Sequence, residues 1–545
     1  MRELIDRIGR TYDEVPYVSS AFHLSAPEHL RAVAHLFGLD APLPGRARVL
    51  ELGCSAGGNL IPFAVRHPDA ETVGVDLSPV QVDTGRRLVE AMGLHNVRLI
   101  QGSLADLDIG LGRFDYIVCH GVYSWVPDEV RAAILRVCNE LLSPDGVAYV
   151  SYNTYPGWKA KEIVRDAMLL RGGPRDTARE RLAYARGMIE FLHEQASDGS
   201  VLATVMKEHI DMIRDGKDYY LNHEYMELCN APCYFRDFVQ AARVQGLEYL
   251  GDASVASMFA ANYGASAKAL LNECGGDQIL LEQLIDFLVN RAFRQTLLVH
   301  ADRGADIRYQ LDHARIRALH VAGFYTPQGD GGEPAQDWKY AGGASVRTSS
   351  PVTRRVVERL NAAWPATVPV DALVEGLAPG ETTQAIGLVS NLIVGNAIAF
   401  RREPVAPAAL SDRPVARAEL RALAASGSTS VSPFNEWHEL VRLEALERFV
   451  LQKLDGSVDR DRLVADVIQA IADGVLTFHR DGQPLLDAGE VAAAVPRLVD
   501  HALRWLAAGS MLGVAPVDPA PIPAKPARAS KAKAGAADKA PRGRK

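Results

Sequence analysis

The stretch Val49–Gly58, VLELGCSAGG, with Asn59 behind it, decides the fold. Val49 to Leu52 are apolar except for Glu51, which reads as a buried parallel strand. Gly53, Gly57 and Gly58 then make a turn that opens a helix near Asn59. Glycines let the backbone approach a ligand closely, and the helix N-terminus behind them presents free N–H groups to it. A second strand signal, ETVGVDLS from Glu71 to Ser78, carries Asp76, whose carboxylate can accept both hydrogen bonds of a ribose diol. The ligand expected at this turn therefore contains a ribose.

The spacing of the glycines narrows the choice. A dinucleotide fingerprint requires G-x-G-x-x-G so that a pyrophosphate can rest on the turn, whereas Gly53, Gly57 and Gly58 follow G-x-x-x-G-G with Glu51 just ahead. An acidic group there repels a pyrophosphate and suits the ammonium and sulfonium of S-adenosylmethionine (SAM). The motif resembles that of the class I SAM-dependent methyltransferases, E/D-x-G-x-G or E/D-x-G-C-x-x-G. The expected cofactor-binding residues around the turn and the second strand are Glu51, Gly53, Cys54, Gly57, Asn59, Asp76, Leu77 and Gln81.

The chain has 545 residues, 48% hydrophobic and 23% charged, as in ordinary globular proteins of two to four domains. No stretch has the apolar length of a membrane span and the N-terminus lacks a signal-peptide core, so a cytoplasmic chain without membrane insertion is expected. Cysteines 54, 119, 138, 229, 233 and 274 form no C-x-x-C pair, which points to reduced thiols and no metal site. The net charge of −8 argues against a broad nucleic-acid surface, although a basic tail follows residue 524.

After Asp76 strands and helices alternate: helix 79–92, strand VRLIQGS, strand FDYIVCH, helix 128–142 and strand GVAYVSYN. That order implies an α/β, doubly wound sheet with the ligand at the carboxyl ends of its strands. The family resemblance places adenine at the end of the third strand, at Gly102, Ser103 and Leu104, and the transferred methyl beside His120 to Trp125 at the end of the fourth. His120–Gly121–Val122–Tyr123 stands where enzymes acting on planar amide or base nitrogens carry D/N-P-P-Y/F, and it cannot polarise an NH₂ group in that way. Tyr123, Trp125, Tyr155 and Trp158 could instead wall a slot for an alkylammonium, beside Asn153. Tyr12 and Tyr17, ahead of the first strand, either pack on the sheet or close a lid over the cofactor.

Residues 159–213 form charged helical patterns without a strand signal, and CYFRDFVQAARVQGLEYLGDAS with RQTLLVHAD supplies the sixth and seventh strands. The expected organisation is 1–158 as the first part of the SAM-binding domain, 159–230 as a helical insertion for dimerisation or a lid, and 231–305 completing a seven-stranded Rossmann-like sheet. A linker (306–350), a winged-helix-like middle domain (351–403), a second linker (404–433), a helical C-terminal domain (434–514) and a disordered basic tail (515–545) follow. PYVSSAF, HGVYSWV, NTYPGW and His223–Glu224–Tyr225 together resemble the bacterial protein-lysine methyltransferases that carry a methyltransferase regulatory domain and act on outer-membrane proteins. The resemblance implies a dimerising helical part and a protein substrate methylated on lysine. Two other readings compete: a small-molecule O- or N-methyltransferase, and a SAM-binding regulator without turnover. Nucleic acid is expected to touch only the basic tail, and weakly.

Overall fold

In the computed structural model, strands β1 (Arg48–Leu52), β2 (Glu71–Asp76), β3 (Val97–Gln101), β4 (Phe114–Cys119), β5 (Leu142–Asn153), β6 (Leu247–Asp252) and β7 (Phe293–His300) build one sheet. Their order is β3-β2-β1-β4-β5-β7-β6. β1 to β5 are mutually parallel, and β7 runs antiparallel to both neighbours. The order reverses between β1 and β4, so the crevice at a topological switch point opens beside Glu51 and Cys119. The structure describes residues 2–513 except 15, 108, 174, 265–266, 268, 270–272, 329–335, 481–482 and 485–486. The expected disordered tail lies outside the described residues.

Strand alternation divides the core into the two layers that a covered sheet requires. Tyr116 and Val118 of β4 pack on one face with Val49, Phe37 and Phe63, while Ile117 and Cys119 pack on the other with Leu50, Leu52 and helix Asp128–Leu141. Helices Gly157–Gly172, Ala178–Gln195, Val201–Asp215 and Asp218–Tyr225 follow β5 and have a core of their own, including Val164, Met168, Leu182, Ile189, Met206, Ile210 and Tyr225.

The expected linkers need correction. Residues 306–350 contain helix His313–Arg317, strand His320–Ala322, and an antiparallel sheet of Tyr325–Gln328, Gln336–Tyr340 and Ser345–Thr348. Trp338, Tyr340 and Val346 pack on the core, and the buried Tyr325 donates its hydroxyl hydrogen to the Ala397 carbonyl. Gly342 and Gly343, part of the Gly content that suggested a linker, form the turn between the last two of these short strands, while residues 329–335 lie outside the described residues. His320–Ala322 also lies between Val368–Pro369 and Ala399–Arg401 in a small antiparallel sheet beside the helices at 351–394. Residues 404–433 likewise hold helix Ala418–Ser426 and a bridge from Val431 to Ser19.

A buried charge network fixes the antiparallel end of the sheet. Arg294 on β7 is fully buried and bonds Glu282 Oε2 at 2.9 Å and both Asp286 oxygens at 2.8 Å. Its guanidinium lies 3.7 Å from the Phe235 ring centroid, and these two carboxylates keep it firmly protonated against the cost of burial. Asp252, at the end of β6, is pushed up to about 6 by burial despite the nearby arginines. Removing one member of such a network strands the others in a low dielectric. Arg294→Met is therefore expected to lower the unfolding free energy by about 3–5 kcal/mol, measured by urea denaturation; a loss below about 1 kcal/mol would contradict this account.

Candidate active site

A cavity of about 440 Å³ opens at the carboxyl ends of β1, β2 and β4. The β1 turn forms its floor. Gly53 has φ +78°, and a Cβ there would lie 2.3 Å from Val122 Cγ2, so neither its conformation nor its surroundings accept a side chain. Ser55 also takes a left-handed φ of +50°, and this turn aims its N–H at Asp76 Oδ2, 2.7 Å away. Ser78 N donates to the other Asp76 oxygen at 2.9 Å. Each oxygen keeps a lone pair for a ribose hydroxyl, while burial outweighs the amide bonds and raises the carboxyl pKa.

Glu51 is the deepest charge-bearing group of the floor. Its Oε1 accepts from Asn59 Nδ2 at 2.9 Å, and its Oε2 is buried without a partner. Burial pushes its pKa up to about 8, opposed by the Asn59 bond and assisted by Asp76. Ser55 Oγ is a second buried polar atom without a partner, and both residues line the cavity. A site that leaves a carboxylate oxygen unsatisfied is built for a cation, and the α-ammonium of SAM fits it. Asp76 would hold the ribose, with Leu77, Ser103 and Leu104 along the same wall.

Of the residues expected to hold the cofactor, Glu51, Gly53, Cys54, Asn59, Asp76, Leu77, Gln81, Ser103, Leu104 and His120 line the cavity. Gly57 and Gly102 act from behind it: Gly57 N closes the turn on the Cys54 carbonyl, and Gly102 N donates to the Asp76 carbonyl. Gln81 Nε2 donates to the Tyr17 carbonyl at 3.1 Å, tying the N-terminal segment to the second strand's helix.

Helix Arg2–Glu14, which the sequence reading did not anticipate, brings Ile5, Ile8 and Tyr12 to the cavity. Tyr12 stacks on His223 with centroids 5.1 Å apart, and Tyr17 meets the same imidazole edge-on at 5.5 Å. Burial, then Glu227 and Asp76, hold the Tyr12 phenol well above its ordinary pKa, so it stays neutral. His120 stacks on Phe22 at 3.8 Å, and burial lowers its pKa to about 4, leaving a neutral imidazole whose Nδ1 lies 2.8 Å from the Tyr149 hydroxyl.

The expected aromatic slot is only half realised. Trp125 and Trp158 line the cavity edge to face, 5.9 Å apart, with Asn153 beside them. Tyr123 instead turns away into the core, packed against Tyr152 and Phe238, because the short helix Tyr123–Trp125 puts adjacent side chains on different sides. Tyr155 lies outside, its hydroxyl donating to Glu162 Oε1 at 2.5 Å and its ring under Lys159 Nζ at 3.7 Å. Lys161, Glu224 and Phe293 line the cavity without having been singled out as site residues. Lys161 Nζ lies 3.1 Å from Glu224 Oε1 and 5.0 Å from the Trp158 ring centroid. Only its position three residues after Trp158, on the same helical face, could have drawn notice to it.

Two outcomes follow for the floor. Asp76→Ala should weaken binding of S-adenosylhomocysteine (AdoHcy) by about 1.5–3 kcal/mol per charge-assisted bond lost, measured by calorimetry. Glu51, being largely protonated at pH 7 in the ligand-free protein, must lose its proton to pair with an ammonium. Binding at pH 7 should therefore release roughly one proton, seen as a dependence of the calorimetric heat on buffer ionisation enthalpy. In the ligand-free protein the sign is the usual one for a raised carboxyl. Its contribution to stability is full below the unfolded value of 4.5 and is lost as pH rises through about 8.

Three family models match the chain: a methyltransferase domain at residues 49–146, a "Predicted methyltransferase regulatory domain" at 217–300, and the "PKMT, C-terminal winged helix domain" at 412–511. The last falls on the region expected only to be mostly helical. Protein RP789 of Rickettsia prowazekii is 32% identical over 519 residues, covering 92% of this chain and 93% of that one. Protein RP028 of the same organism is 38% identical over 241 residues, 44% of this chain and 96% of its own length. Among solved structures, PKMT2 from Rickettsia typhi in complex with AdoHcy is 28% identical with a TM-score of 0.80, covering 91% of this chain and all of that one. A buried Asp76 with a free lone pair on each oxygen, a half-satisfied Glu51, the sheet order and these matches converge: the chain belongs to the class I SAM-dependent methyltransferases that carry a methyltransferase regulatory domain and a PKMT winged-helix domain, and SAM is its cofactor.

Proposed function

We propose that the protein transfers methyl groups to lysine side chains of a protein substrate. The observation that carries this reading is the state of Lys161: inside the cavity, a lysine ammonium already rests near an indole face and pairs with a carboxylate, Glu224. The same wall can receive an incoming lysine through cation–π attraction and charge pairing. Bound SAM supplies an electrophilic methyl on a sulfonium. Trp125 and Trp158 guide the acceptor amine into line and exclude water, an orientational contribution that needs no enzyme nucleophile. Glu224 favours the charged amine at entry, whereas burial deeper in the cavity disfavours charge and releases the neutral amine that can attack. With SAM bound, the amine lone pair would form the new C–N bond as the S–CH₃ bond breaks, the bonding pair staying on sulfur to give AdoHcy, and the methylammonium product would pass one of its two N–H protons to solvent to become neutral again.

The proposal includes a cytoplasmic location and a homodimer formed through the helical part at 157–225, where Leu170, Phe191 and Val201 are exposed apolar side chains. No helix among the described residues is long and apolar enough to cross a membrane. Light scattering that finds a monomer would remove the dimer.

Incubation with radiolabelled SAM and a bacterial lysate tests the activity. Label should appear as methyl-lysine in acid hydrolysates of protein; label confined to small molecules would replace this reading with a small-molecule methyltransferase. Trp125→Ala should slow methyl transfer by at least tenfold, about 1.4 kcal/mol of barrier, with AdoHcy affinity little changed. Transfer should also rise with pH as the acceptor amine deprotonates.

A further inference from the structure

Glu51 is held by Asn59, and Asn59 is held in turn from the far end of the chain. Its Oδ1 accepts from the backbone N–H of Phe22 at 3.0 Å, which fixes the orientation of the amide and leaves Nδ2 to donate to Glu51. The same Oδ1 lies 2.9 Å from Nε2 of His438, a residue 379 positions away. An oxygen that only accepts requires Nε2 to carry the hydrogen, and the tautomer is fixed from the other side as well. His438 Nδ1 lies 2.9 Å from Arg66 Nη2, which can only donate, so Nδ1 must present its lone pair. Burial and the Arg66 cation hold His438 well below its ordinary pKa, consistent with a neutral ring in one tautomer.

His438 reaches this place by an unusual path. It has φ +63° within the loop Asn435–Glu439, where Asn435 Oδ1 accepts from the N–H groups of Trp437 and Glu439, both at 3.0 Å. The strand-like residues just before it join the cofactor turn through Ser19: Ser19 N donates to Ser430 O at 2.8 Å, Ser432 N donates to Ser19 O at 3.0 Å, and Gly58 N donates to Ser19 Oγ at 2.8 Å. A Cβ at Gly58 would lie 2.4 Å from the Ser19 backbone, so the turn, the N-terminal segment and the 430–438 segment meet with no spare room.

We propose that His438 is a positioning residue of the cofactor site. Through the directional chain Arg66 to His438 to Asn59 to Glu51, the winged-helix part completes the hold that the Phe22 N–H and the Ser25 hydroxyl begin on the Asn59 amide, which engages one oxygen of Glu51 and leaves the other free for the cofactor's ammonium. Cofactor affinity and the seating of residues 430–438 are thereby coupled, and the coupling is reciprocal: displacing the segment weakens binding, and binding holds the segment down.

The test compares AdoHcy with 5′-methylthioadenosine, which keeps the adenosine end and has no amino-acid group. By calorimetry, His438→Ala should weaken AdoHcy at least tenfold and methylthioadenosine less than twofold. His438→Gln, whose side-chain N–H₂ can still donate to Asn59, should come within about threefold of the parent for AdoHcy. Equal weakening of both ligands, or unchanged AdoHcy affinity in a folded His438→Ala protein, overturns the proposal. If His438→Ala melts below the assay temperature, the comparison moves to His438→Gln against the shorter His438→Asn. The proposal requires the Asn variant to bind AdoHcy more weakly than the Gln variant, and equal binding overturns it. Hydrogen exchange gives a readout without catalysis: AdoHcy should slow exchange at the Ser432 amide, and methylthioadenosine should not.

Discussion

Burying one carboxylate at the end of a central strand is the constraint around which this structure is arranged. Glu51 occupies a place where a charge is costly, and the surroundings meet only half of its hydrogen-bonding capacity. The strained turn at Gly53 and Ser55, the close approach of Ser19 to Gly58 and the triply engaged Asn59 oxygen serve to hold that half-satisfied group still. A cationic ligand completes it. Such an unmet electrostatic need suits the cationic SAM and opposes the pyrophosphate of a dinucleotide, a distinction that glycine count alone does not specify.

The acceptor side follows a different logic. Its walls come from the end of β5, from helix Gly157–Gly172 and from helix Asp218–Tyr225, so that Trp158 and Lys161 on one helix oppose Glu224 and His223 on another. His223 Nδ1 lies 2.7 Å from the buried Glu227 carboxylate, and the imidazole in turn carries the Tyr12 ring. Rings and ion pairs contributed by three chain segments therefore form the upper surface, whereas one continuous βα unit forms the floor.

That division explains what could be read from the sequence. The floor is local: Glu51, Gly53, Asn59 and Asp76 fall within one strand-turn-helix-strand run whose periodicity and glycine spacing are visible along the chain, and the parallel arrangement of β1 to β5 followed from the same alternation, whereas the antiparallel β7 between β5 and β6 did not. The slot was legible only as a set of aromatics. Whether Tyr123 or Trp125 faces the cavity depends on a short helical turn that no periodicity reports, and Tyr123 fell to the core. The sheet at 325–348 was hidden because its strands are only four or five residues long and lie in a stretch of sequence rich in Gly and Pro, which reads as a linker. His438 could not be found at all, since neither spacing nor composition marks a contact that exists only after two remote segments pack.

The separate core of helices 157–225 has a consequence for the kinetics of the molecule. A region whose apolar side chains bury one another, rather than the sheet, can open as its own cooperative unit while the strands stay intact. Exchange of spent for fresh cofactor then need not disturb the Glu51 floor. Parting of the Tyr12 and Tyr17 rings from His223 is likewise a local event, governed by a few ring contacts rather than by the global stability of the fold.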